Sequence, residues 1–340
     1  MATTKFSRER LPDKLLSAKA EAVSAFLSSE PVERTLAFAA TSRPEHNVVG
    51  VGIGPKMVKG KPTSGYSVRF YVVSKIPLSA IKKDHVLPSK VKGMSADVVE
   101  VGVFRAFAVG PTAEQKRRRP ARPGSSIGFQ FPGSKATFVM AGTFGAVVTD
   151  GSNRLILSNI HVLADENNLS PGASIFQPGL LDGGSVNRDE IATLSKFVPL
   201  DFSAPNLVDC ALAAVDRANL ISAAVLPKVG KLASAVPVPA VVGMKVHKTG
   251  RTTGYRTGVV FDVSADVKVG YEGGTAVFQN QVLIKGDTAQ SFSDAGDSGS
   301  LIVDRATKRA TALLFAGSAS HTIGNHISDV LSALDVTLVV

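Results

Sequence analysis

SFSDAGDSGSLIV, residues 291–303, sets an Asp-Ser pair between two glycines, just ahead of a β-branched run. Most Ser-Gly strings are turns, because glycine supplies the positive φ that turns require. Whether Ser298 does more depends on what accompanies it elsewhere in the chain.

The chain around that stretch reads as strands. From Gly128 onward, AGTFGAVVTD (141–150), NRLILSNIHVLA (153–164), LVDCALAAV (207–215), GYRTGVVFDVS (254–264), QNQVLIKGD (279–287), SGSLIVD (298–304) and ATALLFAGS (310–318) follow one another with turn signals between them. So many short strands with few helical patterns predict an all-β barrel or sandwich over 128–340. The last segment, ISDVLSALDV (327–336), spaces Ile327, Val330, Leu331 and Leu334 as a short amphipathic helix that packs on the outside.

Residues 11–27, LPDKLLSAKAEAVSAFL, predict a helix whose apolar face carries Leu16, Ala20, Val23 and Leu27, with Leu15, Ala22 and Phe26 beside it. NVVGVGIG (47–54), GYSVRFYVV (65–73) and ADVVEVGVF (96–104) are β-branched runs bounded by Gly and Pro. Together they predict a small α+β domain over 1–109. Between it and the β region, GPTAEQKRRRPARPGSS lacks apolar periodicity and reads as an exposed basic linker, 110–127.

At 340 residues and 44% hydrophobic content, the chain is long enough to bury a large core. Its first twenty residues hold no apolar run of signal-peptide length, and no run approaches the roughly 18 apolar residues of a membrane span. The single cysteine, Cys210, excludes an internal disulfide and fits a reducing compartment, so the expected location is the cytoplasm. The formal charge of +10 is concentrated visibly in KRRRPAR, 116–122, but no nucleic-acid-binding motif accompanies it.

Nucleophilic serine chemistry needs a base to take the hydroxyl proton, an acid to hold that base in one tautomer, and N–H groups for the developing oxyanion. His161, at the end of the LILSNIHVLA run, is the base candidate. Asp209 heads the apolar run NLVDCALAAV, where a buried charge needs a partner, and is the acid candidate. Ser298 is the nucleophile candidate, and the glycines at 296 and 299 allow successive N–H groups to form a cup. Taken singly, each has an ordinary structural reading: a turn serine, a satisfied histidine, a strand-end cap. The order His, Asp, Ser across an all-β region favours the chemical one.

SNIHVLA, VDCALA and DAGDSGS resemble the TAxH, DIAL and GDSGG motifs of chymotrypsin-like serine proteases. KVHKTGRTTGYRTGVV, 245–260, is similar to a segment of bacterial members of that family. The runs VVGVGIG, DVVEVG, RPARPGSSIGF, AGTFGAVV and SNIHVLA together resemble the narrow-leaf group of bacterial and plant trypsin-like proteins. This resemblance implies a chymotrypsin-like double β-barrel preceded by the small α+β domain, and a serine endopeptidase acting on a protein or peptide substrate. In it His161 is general base and acid, Asp209 orients it, Ser298 attacks the carbonyl, and the Gly296 and Ser298 N–H groups form the oxyanion hole. It also implies that Asp297 pairs with an internal cation, Lys248 or alternatively Arg251, to support the oxyanion loop without zymogen cleavage. Phe315, Ala316 and Gly317 then stand at the specificity wall and Phe292 at the pocket floor. The chain departs from the pattern in carrying Ser300 where the family usually has glycine.

Other features carry less. GVGIG is followed by Pro55 and by no helical pattern, which leaves a phosphate without the helix N-terminus it needs; a tight strand or hairpin is expected. His46, His85, His247, His321 and His326 show no metal-ligand spacing, and neither metal nor cofactor is called for. His321 and Asn325 lie after the specificity strand, where they either line the pocket or, the favoured expectation, stand on a surface loop, and Cys210 is placed in the core. The N-terminal domain carries no chemical signature; gating, folding assistance, partner recruitment and homo-oligomer formation stay open for it. The rival to the peptidase is a catalytically silent module of the same fold that binds or regulates.

Overall fold

A computed structural model describes residues 11–27, 44–58, 61–102, 104, 112–222, 225–226, 228–287 and 290–340. The expected close of the N-terminal domain near 109 and the first residues of the linker lie outside these. The protein is mainly β, with two curled sheets and few helices.

Along the chain, helix α1 (Asp13–Phe26) and the turn α2 (Pro44–Asn47) precede β1 (Val48–Val58), β2 (Lys61–Val72), β3 (Lys90–Val91) and β4 (Met94–Glu100). There follow β5 (Ser126–Phe129), β6 (Gly142–Thr143), β7 (Ala146–Thr149), β8 (Arg154–Ser158), the helical turn α3 (Ile160–Leu163), β9 (Ser174–Phe176), β10 (Glu190–Phe197) and β11 (Ala211–Val215). A small hairpin, β12 (Val225–Leu226) and β13 (Gly230–Lys231), leads to β14 (Lys245–Gly250), β15 (Gly254–Gly270), β16 (Thr275–Gly286), β17 (Leu301–Asp304), β18 (Ala310–Gly317) and β19 (His321–His326). Helix α4 (Ile327–Leu334) and β20 (Thr337–Leu338) end the chain.

The eight-stranded sheet runs β20-β7-β8-β11-β10-β9-β5-β6, and the ten-stranded sheet β14-β17-β18-β19-β16-β15-β1-β2-β4-β3. The N-terminal strands therefore continue the second sheet, entering it through β1, which pairs with β15 at Gly50↔Val267 and Val51↔Asp266. Gly52 and Gly54 permit this crossing, since a Cβ at either would run into Asp262, Tyr71 or the Arg69 guanidinium. Helix α4 buries Ile327, Val330, Leu331 and Leu334 in one cluster with Val148 and Leu157 of the first sheet and Leu301 and Val303 of the second. The chain end, β20, then returns to pair with β7. Both devices lock the sheets together, and the candidate site lies where they meet.

Three expectations are corrected here. Helix α1 turns inward through Leu15, Ala18, Lys19 and Ala22, leaving Leu16 exposed, because the buried Lys19 must reach Asp266. The basic stretch 116–122 is pinned rather than tethering: Arg117 and Arg119 bond Asp189, Arg119 also bonds Gln177, and Ala121 is buried. His321 and Asn325 stand on β19 with buried side chains and are not on a surface loop.

Candidate active site

The strand expected to run through NRLILSNIHVLA stops at Ser158, and His161 sits on the single turn α3. That break matters, because it lets the turn's first N–H and the imidazole face one carboxylate. Ile160 N donates to Asp209 Oδ1 at 2.7 Å, while His161 Nδ1 donates to Asp209 Oδ2 at 2.7 Å. Asp209 lies just before β11 and is fully buried. Its backbone is held as well: its N–H donates to Asn325 Oδ1 at 3.0 Å and its carbonyl accepts from Asn159 Nδ2 at 2.8 Å.

A third donor reaches the carboxylate. Tyr271 Oη reaches Asp209 Oδ2 at 2.8 Å, and its ring stands edge-on to the imidazole with centroids 5.9 Å apart. Burial opposes a charge on His161, but Asp209 and, more weakly, Glu166 override it and raise the imidazole above its usual range. The outer nitrogen, His161 Nε2, is buried and has no protein partner among the described residues.

The GDSGS turn comes from the other sheet. Gly296 and Gly299 adopt φ of +83° and +92°, which only glycine takes freely. Gly299 also has no room for a Cβ, which would meet Ser158 Oγ and the Thr143 carbonyl. The turn is therefore pressed onto the strand that leads into α3. Thr143 N donates to Ser298 O at 2.8 Å, and Thr143 Oγ1 to Gly296 O at 2.9 Å. The N–H groups of Gly296 and Ser298 have no acceptor among the described residues. Ser298 Oγ donates to the Phe315 carbonyl at 3.3 Å.

Asp297 turns away from this cup into a closed polar nest. Lys248 Nζ is 2.7 Å from Asp297 Oδ2, and Oδ1 accepts from Thr252 N and Thr253 N at 2.9 and 3.0 Å. Burial lowers the Lys248 ammonium, an effect that Asp297 opposes. Arg251, the alternative partner, instead grips Asp182 through Nε and Nη2 at 2.7 and 2.5 Å.

Phe315 packs on Phe278 in the main core, with ring centroids 4.6 Å apart, while Ala316 and Gly317 pair with Ile323 and Thr322 of β19. Phe292 is buried among Val246, Val260, Ile284 and Ile302. The neighbouring Ser293 hydroxyl bonds the Thr322 hydroxyl at 2.5 Å. Cys210 is buried in the cluster under α4, and burial pushes its thiol well up. Among the described residues no group of three or more His, Cys, Asp or Glu is placed to hold a metal ion, and no helix is long and apolar enough to cross a membrane.

Sequence reasoning missed Tyr271 and Asn159, the hold of Asn325 on Asp209, and Asp182 as the partner of Arg251. Each acts across more than forty positions of chain, and only the polar pair Asn325-His326 inside an otherwise buried strand carried a hint.

Residues 214–325 match the family model of the Nal1 C-terminal domain, a stretch that contains Ser298 but neither His161 nor Asp209. Among solved structures, the chain is similar to a glutamic-acid-specific serine protease described as using a histidine triad in substrate binding. That likeness is 22% identical with a TM-score of 0.44 and covers 64% of this chain and 100% of that one. Thermobifida fusca protease A, at 18% identity and TM-score 0.44, and Cellulomonas bogoriensis chymotrypsin, at 16% and 0.42, are each covered over 97% of their length and over 64% of this chain. No curated protein matches.

Proposed function

We propose that the chain is a serine endopeptidase in which two β-barrels, within 128–340, meet at His161, Asp209 and Ser298. The observation that carries this reading is a fully buried carboxylate fixing Nδ1 of a histidine whose Nε2 has no partner among the described residues, together with a glycine-framed serine turn packed against Ser158 at the end of the strand that leads to that histidine. His161 takes the Ser298 proton as Oγ attacks a peptide carbonyl, then passes it to the leaving amine. Asp209 holds the tautomer and offsets the imidazolium charge. The Gly296 and Ser298 N–H groups receive the oxyanion. The Lys248–Asp297 pair holds that loop in place, so that no cleavage is needed to form it. Peptide lies along Phe315, Ala316 and Gly317, with Phe292 beneath the side-chain pocket. The enzyme acts in the cytoplasm on protein or peptide rather than nucleic acid.

A second reading has one observation in its favour. Ser298 Oγ donates to the Phe315 carbonyl, the arrangement expected of a serine at rest or of a silent module that binds peptide without cutting it. Hydrolysis of a denatured-protein substrate by the purified chain, lost in Ser298→Ala, separates the two. Undiminished hydrolysis in that variant, or peptide binding without turnover in the wild type, goes against the peptidase.

A further inference from the structure

We propose that Tyr271 is a positioning residue of the Asp209–His161 pair, and that the N-terminal elements, clamped to the hairpin that carries it, are a working part of the site. This rests on the peptidase reading above.

Tyr271 occupies the turn of the long β15–β16 hairpin, where its N–H donates to Gly274 O at 2.8 Å. Its hydroxyl and His161 Nδ1 share one oxygen of Asp209, at 2.8 and 2.7 Å. Burial first, and the Asp209 charge second, push the phenol well above its usual range, so it stays a donor at every working pH. A donor on that oxygen fixes the carboxylate plane and draws off part of its charge, which tunes how strongly His161 holds its proton. The groups facing His161 are Asp209 ahead of β11, Glu166 in its own following loop, and Tyr271 from the hairpin. Glu166 ties the last two together: its carboxylate accepts from Glu272 N and Gly273 N at 3.0 and 2.9 Å.

The base of the hairpin is built into the sheet, with β15 on β14 up to Val259 and β16 on β19 from Val282 to Lys285. The outer half leaves those neighbours behind. Its backbone is held on one side by β1, at Val267 and Asp266, and on the other by Asn206, whose N–H donates to Val277 O and whose carbonyl accepts from Gln279 N. Lys19 of α1 closes the clamp, reaching Asp266 Oδ1 at 2.8 Å and the Ser264 carbonyl at 2.6 Å. Helix α1 and β1 thus set where Tyr271 stands.

The test follows the His161 imidazole by NMR titration, and fluorophosphonate labelling rate against pH, in wild type, Tyr271→Phe and the paired variant Lys19→Met/Asp266→Leu. Without the phenol hydroxyl, Asp209 acts more strongly on His161. The imidazole midpoint is expected to rise by about half a unit and labelling at neutral pH to fall by up to about three-fold, the change in neutral imidazole that such a shift allows. The paired variant, which leaves no lone buried charge, is expected to shift both in the same direction by less. If Tyr271→Phe does not fold, wild type made with fluorotyrosine keeps the fold and strengthens the donor, so the midpoint should fall. A midpoint unmoved by either change overturns the role of Tyr271. A paired variant that titrates and labels as wild type overturns that of the N-terminal elements. If nothing labels, wild type included, yet the midpoint moves, the peptidase reading fails while the positioning stands.

Discussion

Lys248 Nζ lies 2.7 Å from Asp297 Oδ2, with neither side chain reached by solvent, directly behind the turn that presents Ser298. Removing one member leaves a buried charge without its partner, which costs about 3–5 kcal/mol, whereas removing both can be nearly neutral for folding. Lys248→Met is therefore expected to lower the denaturant midpoint sharply. Lys248→Met/Asp297→Leu should recover much of the stability without recovering serine reactivity, because Asp297 also anchors Thr252 N, Thr253 N and Asp294 N. Full reactivity in a stable double variant would show that the pair does not shape the loop.

The turn itself gives a contrast between two glycines. Gly299→Ala meets both a positive φ and backbone atoms of Thr143, while Gly133→Ala meets the same kind of φ in open space. Strain alone costs roughly 1–2 kcal/mol, and a core clash adds to it. Gly299→Ala should lower thermal stability well beyond Gly133→Ala, in paired melting curves.

A raised His161 pKa has a definite sign. The protonated form is favoured in the folded protein, so that stabilisation is present below about 6.5 and lost as pH climbs through the folded value. A general base must be neutral, so the acid limb of kcat/KM should lie above 6.5. Asp209→Asn, which removes the partner that fixes the tautomer, should lower kcat by roughly 1,000- to 10,000-fold. A pH–rate profile of both proteins checks each point.

His321 titrates the other way. Burial first, then Lys285 and Arg69, push it down to about 4, so it stays neutral when folded and takes a proton on unfolding. Stability is therefore full above about 6.5 and falls as pH drops toward 4, by about 2 kcal/mol at pH 5 from this group. Denaturant midpoints at pH 7 and 5 should differ less in His321→Gln than in wild type.

The all-β character was legible because β-branched runs and turn residues are local signals, and α4 because its four apolar positions bury as spaced. The segments of His161, Asp209 and Ser298 could be picked out because each pairs a reactive residue with a neighbourhood of glycines or apolar strand. Tyr271 could not, since nothing in VGYEGG shows that a hairpin seventeen residues long on its first arm will carry the hydroxyl to Asp209. The inward face of α1 was misjudged for the same reason: a lysine reads as exposed until its partner, 247 positions away, is known. The pinned arginines at 117 and 119 likewise depend on Asp189, which lies in a distant loop.

The most direct measurement is intact-protein mass after fluorophosphonate treatment, with the adduct mapped by peptide sequencing, in wild type, Ser298→Ala and His161→Ala. The account predicts one adduct per chain on Ser298, absent from both variants, forming faster as pH rises past the His161 midpoint. A folded wild type that takes no adduct, or one whose adduct forms equally well in His161→Ala, would contradict it.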